Sequence, residues 1–134
     1  MKSALLLFLL LLTSSAQTAE PDVFFREGRF ESLVNSCRKV ESIHDGMMPA
    51  ENQSGAALCL GFLNGIVDGV TLADAVRANG KASRLQHTLC VPETASGAQL
   101  AKVVVKYGDD HPEQLHQAAA FEVAMAFKTA FQCE

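Results

Sequence analysis

No run of lysines or arginines occurs anywhere in this 134-residue chain, and 11 basic against 15 acidic side chains leave a formal net charge of -4. Nucleic-acid binding is therefore disfavoured, because holding phosphates requires a concentrated basic surface. There is no GxSxG, HExxH, phosphate-binding glycine loop or dinucleotide fingerprint. No catalytic residue and no cofactor is assigned, and the chain does not read as an enzyme. His111 and His116 stand five apart, which on a helix puts the two rings on different faces, so no metal site is expected from them. A bilayer-spanning helix is missing at the N-terminus as well. The apolar run at residues 4 to 12 is about half of the ~20 residues that a membrane requires.

What stands there instead has the layout of a secretory signal peptide: Lys2, the uncharged run, then the small polar stretch TSSAQTA. Cleavage is expected after Ala16, with Ser14 as the small residue two before it; Ala19 is the second choice, weakened by Gln17. No cysteine sits at the junction, so no lipid or membrane anchor is expected after cleavage. Residues 1-16 form the signal and 17-134 one exported domain of modest core. Losing Lys2 moves the formal charge from -4 to -5.

Four cysteines, Cys37, Cys59, Cys90 and Cys133, follow the signal, and export places them where thiols are oxidised. Their pairing depends on the helices. Phe30, Leu33, Val34, Cys37 and Val40 carry the spacing of one buried helix face within residues 22 to 43. The stretch from His44 to Gly55 lacks periodicity and reads as an exposed loop. A second helix is expected from Ala56 to Ala78, stopped by Asn79-Gly80. A third begins after Ser96, with Gln99 completing a capping-box pattern. After GDDHP a fourth runs from Pro112 to about Phe131. The expected fold is all-α, a small four-helix, two-hairpin bundle. Cys37 and Cys59 lie equally far from Met48 in the first loop, and Cys90 and Cys133 nearly equally far from His111 in the second turn. Each hairpin thus receives its own disulfide. The same pairing argues against Cys37 acting with His44 as a thiol nucleophile.

Gly61, Gly65 and Gly69 recur at every fourth position of CLGFLNGIVDG. Each costs roughly 1 kcal/mol against alanine inside a helix, so close packing is expected to offset them. The expected neighbour is the fourth helix, through Ala118, Ala119, Ala120 and Ala124, with a homodimer partner as the competing explanation. The second helix would then be central. Its narrow polar window holds Asn64, Asp68 and Thr71; Asn64 and Asp68 are expected to hydrogen-bond a neighbouring loop or each other, with a functional pair as the alternative.

The stretches FREGRFESLVNSC, CLGFLNGIVDG and CVPETASGAQLAKVVVKYGDDHPEQLHQAAAFEVAMAFKTAFQC together resemble the Tai-type immunity proteins of type VI secretion systems. The last stretch carries the most specific part, from the Cys-x-Pro entry through the His-Pro turn to the aromatic-x-Cys end. That family commonly ends Phe-Pro-Cys, where this chain has Phe131-Gln132-Cys133. The resemblance implies a periplasmic, disulfide-bonded helical domain, commonly a homodimer, that binds a peptidoglycan amidase effector and occludes its active-site groove. Specificity is then expected in two loops. One holds Met47 and Met48; the favoured one spans residues 79 to 89, with Lys81, Arg84, Leu85, Gln86 and His87 as candidate contacts. Acidic clusters at Asp45 and Glu51, and at Asp109, Asp110 and Glu113, read first as solvated loop ends. Two alternatives stand beside this reading. One is a periplasmic helical stress chaperone that opens in acid, the other an envelope domain of a different partner.

Overall fold

A computed structural model describes residues 28 to 42, 47 to 84 and 86 to 133. The expected signal peptide lies outside the described residues, as do His44, Asp45 and Leu85. Among the described residues four α-helices follow in order: α1 Phe30–Arg38, α2 Ala50–Arg77, α3 Gly97–Asp110 and α4 Ala119–Ala130. Short 3-10 turns occupy Lys39–Ser42, Ala82–Arg84 and Pro112–Gln114. The fold is all-α, as the periodicity predicts, and both disulfides pair as expected, Cys37 with Cys59 and Cys90 with Cys133.

The centre of the bundle is α1 rather than the second helix. Phe30, Leu33, Val34, Cys37 and Val40 are all buried, and α1 packs against each of the other three helices. Helix α2 has 28 residues, about 42 Å at 1.5 Å per residue, and much of it extends past that centre. Its buried residues are Gly55, Ala56, Cys59 and Leu63 in the first half, but only Asp74 in the second.

Two boundaries differ from expectation, each for a tertiary reason. Helix α2 starts at Ala50, so half of the expected first loop is helical. Pro49 precedes the first turn, Glu51 favours the helix N-terminus, and Asn52 donates to Ser42 Oγ at 2.9 Å, tying that turn to the end of α1. The expected fourth helix is broken between Gln114 and Ala119, because the carbonyls there are needed elsewhere. Arg29 provides no side-chain cap for α1; instead the Phe30 N–H donates to Gln117 O at 3.0 Å and the Glu31 N–H to Leu115 O at 2.9 Å. These bonds satisfy donors that a helix N-terminus leaves open. Ser96 caps α3 as its sequence pattern indicates, accepting from the Gln99 N–H at 3.2 Å.

The glycines that permit close packing are not those of the repeating stripe. A β-carbon on Gly108 would meet Val34 Cγ2 at 2.7 Å, so α1 and α3 approach there as only glycine allows. Gly55 plays the same part beneath the aliphatic stem of Lys39. At Gly61, Gly65 and Gly69 a β-carbon would meet nothing within 4 Å. The expected cover by the alanines of α4 is absent: Ala118 and Ala120 are exposed, while Ala119 faces the core with Val123 and Phe127. The stripe lies opposite the buried face of α2, with Leu58, Leu72 and Val76 exposed beside it.

Candidate partner-binding site

The second half of α2 ends in a left-handed cap. Asn79 and Gly80 have φ of 52° and 68°, the Gly80 N–H donates to Ala75 O at 3.3 Å, and the Asn79 N–H donates to Val76 O at 3.0 Å. This is the Schellman arrangement, and Asn79-Gly80 suits it because both tolerate positive φ. The chain then turns back along α2, and Asp74 catches it. Asp74 Oδ2 accepts from the Thr88 N–H at 2.7 Å, while Oδ1 accepts from Thr88 Oγ1 at 2.7 Å and from Arg77 Nη1 at 2.8 Å. These bonds to Thr88 and the Arg77 charge hold the Asp74 carboxyl below its ordinary value, the Thr88 backbone bond most of all. With Asp74 only 3% exposed, the clamp fixes residues 86 to 88 to the end of α2.

Two clefts flank the clamped segment, and His87 lines both. The larger, about 570 Å³, is bordered by Arg77, Gln86, Thr88, Lys128, Phe131 and Gln132. Cys133 closes it, its Sγ lying 3.7 Å from the His87 carbonyl oxygen. The second, about 400 Å³, holds Asn64, Asp68 and Thr71 opposite Leu89, Val91 and Glu93. The expected hydrogen bonds of the polar window to a loop are not formed among the described residues; those side chains line this cleft instead. One side of residues 86 to 93 is thus cationic and the other acidic. No group of three or more His, Cys, Asp or Glu side chains converges as a metal site among the described residues. What the arrangement offers is a charged surface, tied to the end of α2 at Thr88.

A family model for Rap1a immunity proteins matches residues 30 to 133, nearly all of the described chain. The chain belongs to the Rap1a immunity protein family. This is an immunity-protein family of type VI secretion effectors, inhibitors rather than enzymes. No match was found among curated proteins or among solved structures. The match supports the immunity reading of the sequence at family level.

Within this Rap1a domain the expected contact residues separate. Lys81, Gln86 and His87 are exposed, and Gln86 and His87 meet at the cationic cleft. Arg84 lies in the 3-10 turn Ala82–Arg84, and Leu85 falls outside the described residues. Met47 and Met48 diverge: Met47 is 75% exposed, whereas Met48 packs against the core. Sequence reasoning missed Arg77, Lys128 and the Asp74 clamp. One signal for the clamp was available, since Asp74 falls at about 220° on the wheel that places Cys59 and Leu63 at about 160° and 200°, a lone carboxylate on the inward face.

Proposed function

We propose that this protein is an exported immunity protein that protects the periplasm by binding a type VI secretion cell-wall amidase and occluding its active site. Residues 1-16 serve as the signal, and the domain from residue 17 onwards acts without chemistry of its own. The family match over residues 30 to 133 carries this reading. The two disulfides fit an oxidising compartment. The segment from Asn79 to Leu89 supplies the obstructing surface, and the bonds of Asp74 hold it at Thr88, which reduces the ordering cost of binding there. The test is co-expression with a type VI secretion cell-wall amidase. Cells exporting both should grow, cells exporting the amidase alone should lyse, and the two proteins should co-purify from periplasm. Lysis in the presence of the intact exported protein sinks the reading.

The exposed face of α2 supports a homodimer. Leu58, Gly61, Gly65, Gly69 and Leu72 lie on one stripe, are uncharged, and are spaced symmetrically about Gly65. A two-fold axis at Gly65 sets each Leu58 toward the partner's Leu72 while the glycines let the helix backbones approach.

A further inference from the structure

The larger cleft is rich in donors that have nothing to bind. Arg77 uses Nη1 on Asp74 and Thr88, which leaves Nε and Nη2 without a partner among the described residues. The Lys128 ammonium forms no ion pair or hydrogen bond there either. Asp74, the carboxylate bonded to Arg77 among the described residues, has both oxygens engaged and a side chain only 2% exposed, so it offers incoming groups no free acceptor. It also holds the guanidinium in place, and a pre-positioned guanidinium loses little freedom on binding. Phe131, half-buried, adds an apolar wall against which methylene groups can rest.

We propose that this cleft receives an aspartate or glutamate side chain of a protein partner, its carboxylate held by Arg77 and Lys128. Charge decides between a protein carboxylate and a polyanion. A chain of net charge -4 repels a nucleic acid or an anionic membrane at long range, whereas one carboxylate on a protruding segment meets only the local cationic field. The volume of about 570 Å³ admits a side chain with its flanking backbone. The identity of the partner as a secreted effector rests on the immunity reading, but the carboxylate chemistry does not.

The probe is a capped Gly-Glu-Glu-Gly peptide titrated into the isotope-labelled, disulfide-intact protein and followed by amide and lysine side-chain NMR. Shifts should concentrate at Thr88, Gln132 and Lys128, with millimolar affinity, and Lys128→Glu should weaken binding by about tenfold or more, as expected for losing a charge-assisted bond. Lys102→Glu, on the exposed surface of α3, should leave it unchanged. Gly-Lys-Lys-Gly should not bind at these positions. Absence of localised shifts up to about 50 mM peptide, a free energy too small to matter in recognition, overturns the proposal. So does inorganic phosphate binding the cleft more tightly than the peptide, or a Lys128→Glu titration identical to wild type. Peptide binding that persists while the intact protein fails to protect cells instead defeats the immunity reading and leaves the carboxylate site standing.

Discussion

The two halves of α2 are held to the domain by opposite physics. From Ala50 to Leu63 the helix is fastened by apolar burial: Ala56, Cys59 and Leu63 lie within the core, and the Cys37–Cys59 bridge is wholly inaccessible. From Asn64 to Arg77 only Asp74 is buried; Ile66 and Val67, partly buried, still rest against the core, and beyond them the polar bonds of Asp74 to Thr88 fasten the end of the helix. A segment held by polar bonds at its margin keeps its charged groups near solvent, where a partner can reach them. The half that packs tightly sets the fold, and the half that packs less leaves its polar groups at the clefts beside residues 86 to 93.

The largest break in this contrast should come from the disulfides. On loop length alone, Cys90–Cys133, with a separation of 43, should stabilise slightly more than Cys37–Cys59, with 22; the chain-entropy difference is only about 0.6 kcal/mol. Burial outweighs it. Cys37→Ser/Cys59→Ser places two hydroxyls in a dry core, at about 1 to 3 kcal/mol for each unsatisfied group. Added to a loop contribution of about 3 kcal/mol, that pair should cost about 5 kcal/mol or more, or prevent folding, and the Cys90→Ser/Cys133→Ser pair, with a loop contribution of about 4 kcal/mol alone, less, as read by urea unfolding. Equal losses would mean that burial does not separate the two bridges. Under mild reductant Cys90–Cys133 should open first, because Cys133 is exposed.

A smaller loss should follow Gly108→Ala. The new methyl would press on Val34 at the α1–α3 crossing, and overpacking of this kind costs about 1 to 3 kcal/mol. Unchanged stability would show that Val34 can move aside.

Asp74→Asn tests the polar half directly. Because the folded carboxyl titrates below its ordinary value of 3.8, its contribution is fully present above that value and is lost as pH falls through the lowered one. Wild type should therefore release residues 86 to 88 in acid, seen as a loss of protection of the Thr88 amide relative to its intrinsic exchange rate at the same pH, while the amides of Leu63 and Val104 stay protected. In the Asn variant that protection should already be low at neutral pH and change little with acidification. Acid-independent protection of Thr88 in wild type would remove Asp74 as the fastener.

What the sequence made legible divides along the same line. The inward periodicity of α1 and the cysteine spacing reported the core, since burial leaves a pattern in one helix that needs no knowledge of its neighbour. The start of α2 and the break before α4 depend on bonds to distant groups, Asn52 to Ser42 and the N–H groups of Phe30 and Glu31 to the 115–117 carbonyls. Neither leaves a periodic trace. The cationic cleft joins Arg77 and residues 86 to 88 to Lys128, 40 residues further along the chain, so its charge concentration is invisible in a net charge of -4.

The glycine stripe is where a helical wheel misleads, because a wheel shows that a face is small and apolar but not whether anything lies across it. With open space at Gly65, substitution should act oppositely on monomer and dimer. Gly65→Ala should stabilise the monomer by up to about 1 kcal/mol through helix propensity, with no steric penalty. Gly65→Leu should fold as well as wild type yet fail to self-associate, because a bulky side chain at the two-fold axis holds the helices apart. Sedimentation and thermal unfolding, measured on the same samples, separate the two effects. A Gly65→Leu variant that still dimerises would move the interface to another surface, and one that unfolds would mean that the stripe is covered within the domain after all.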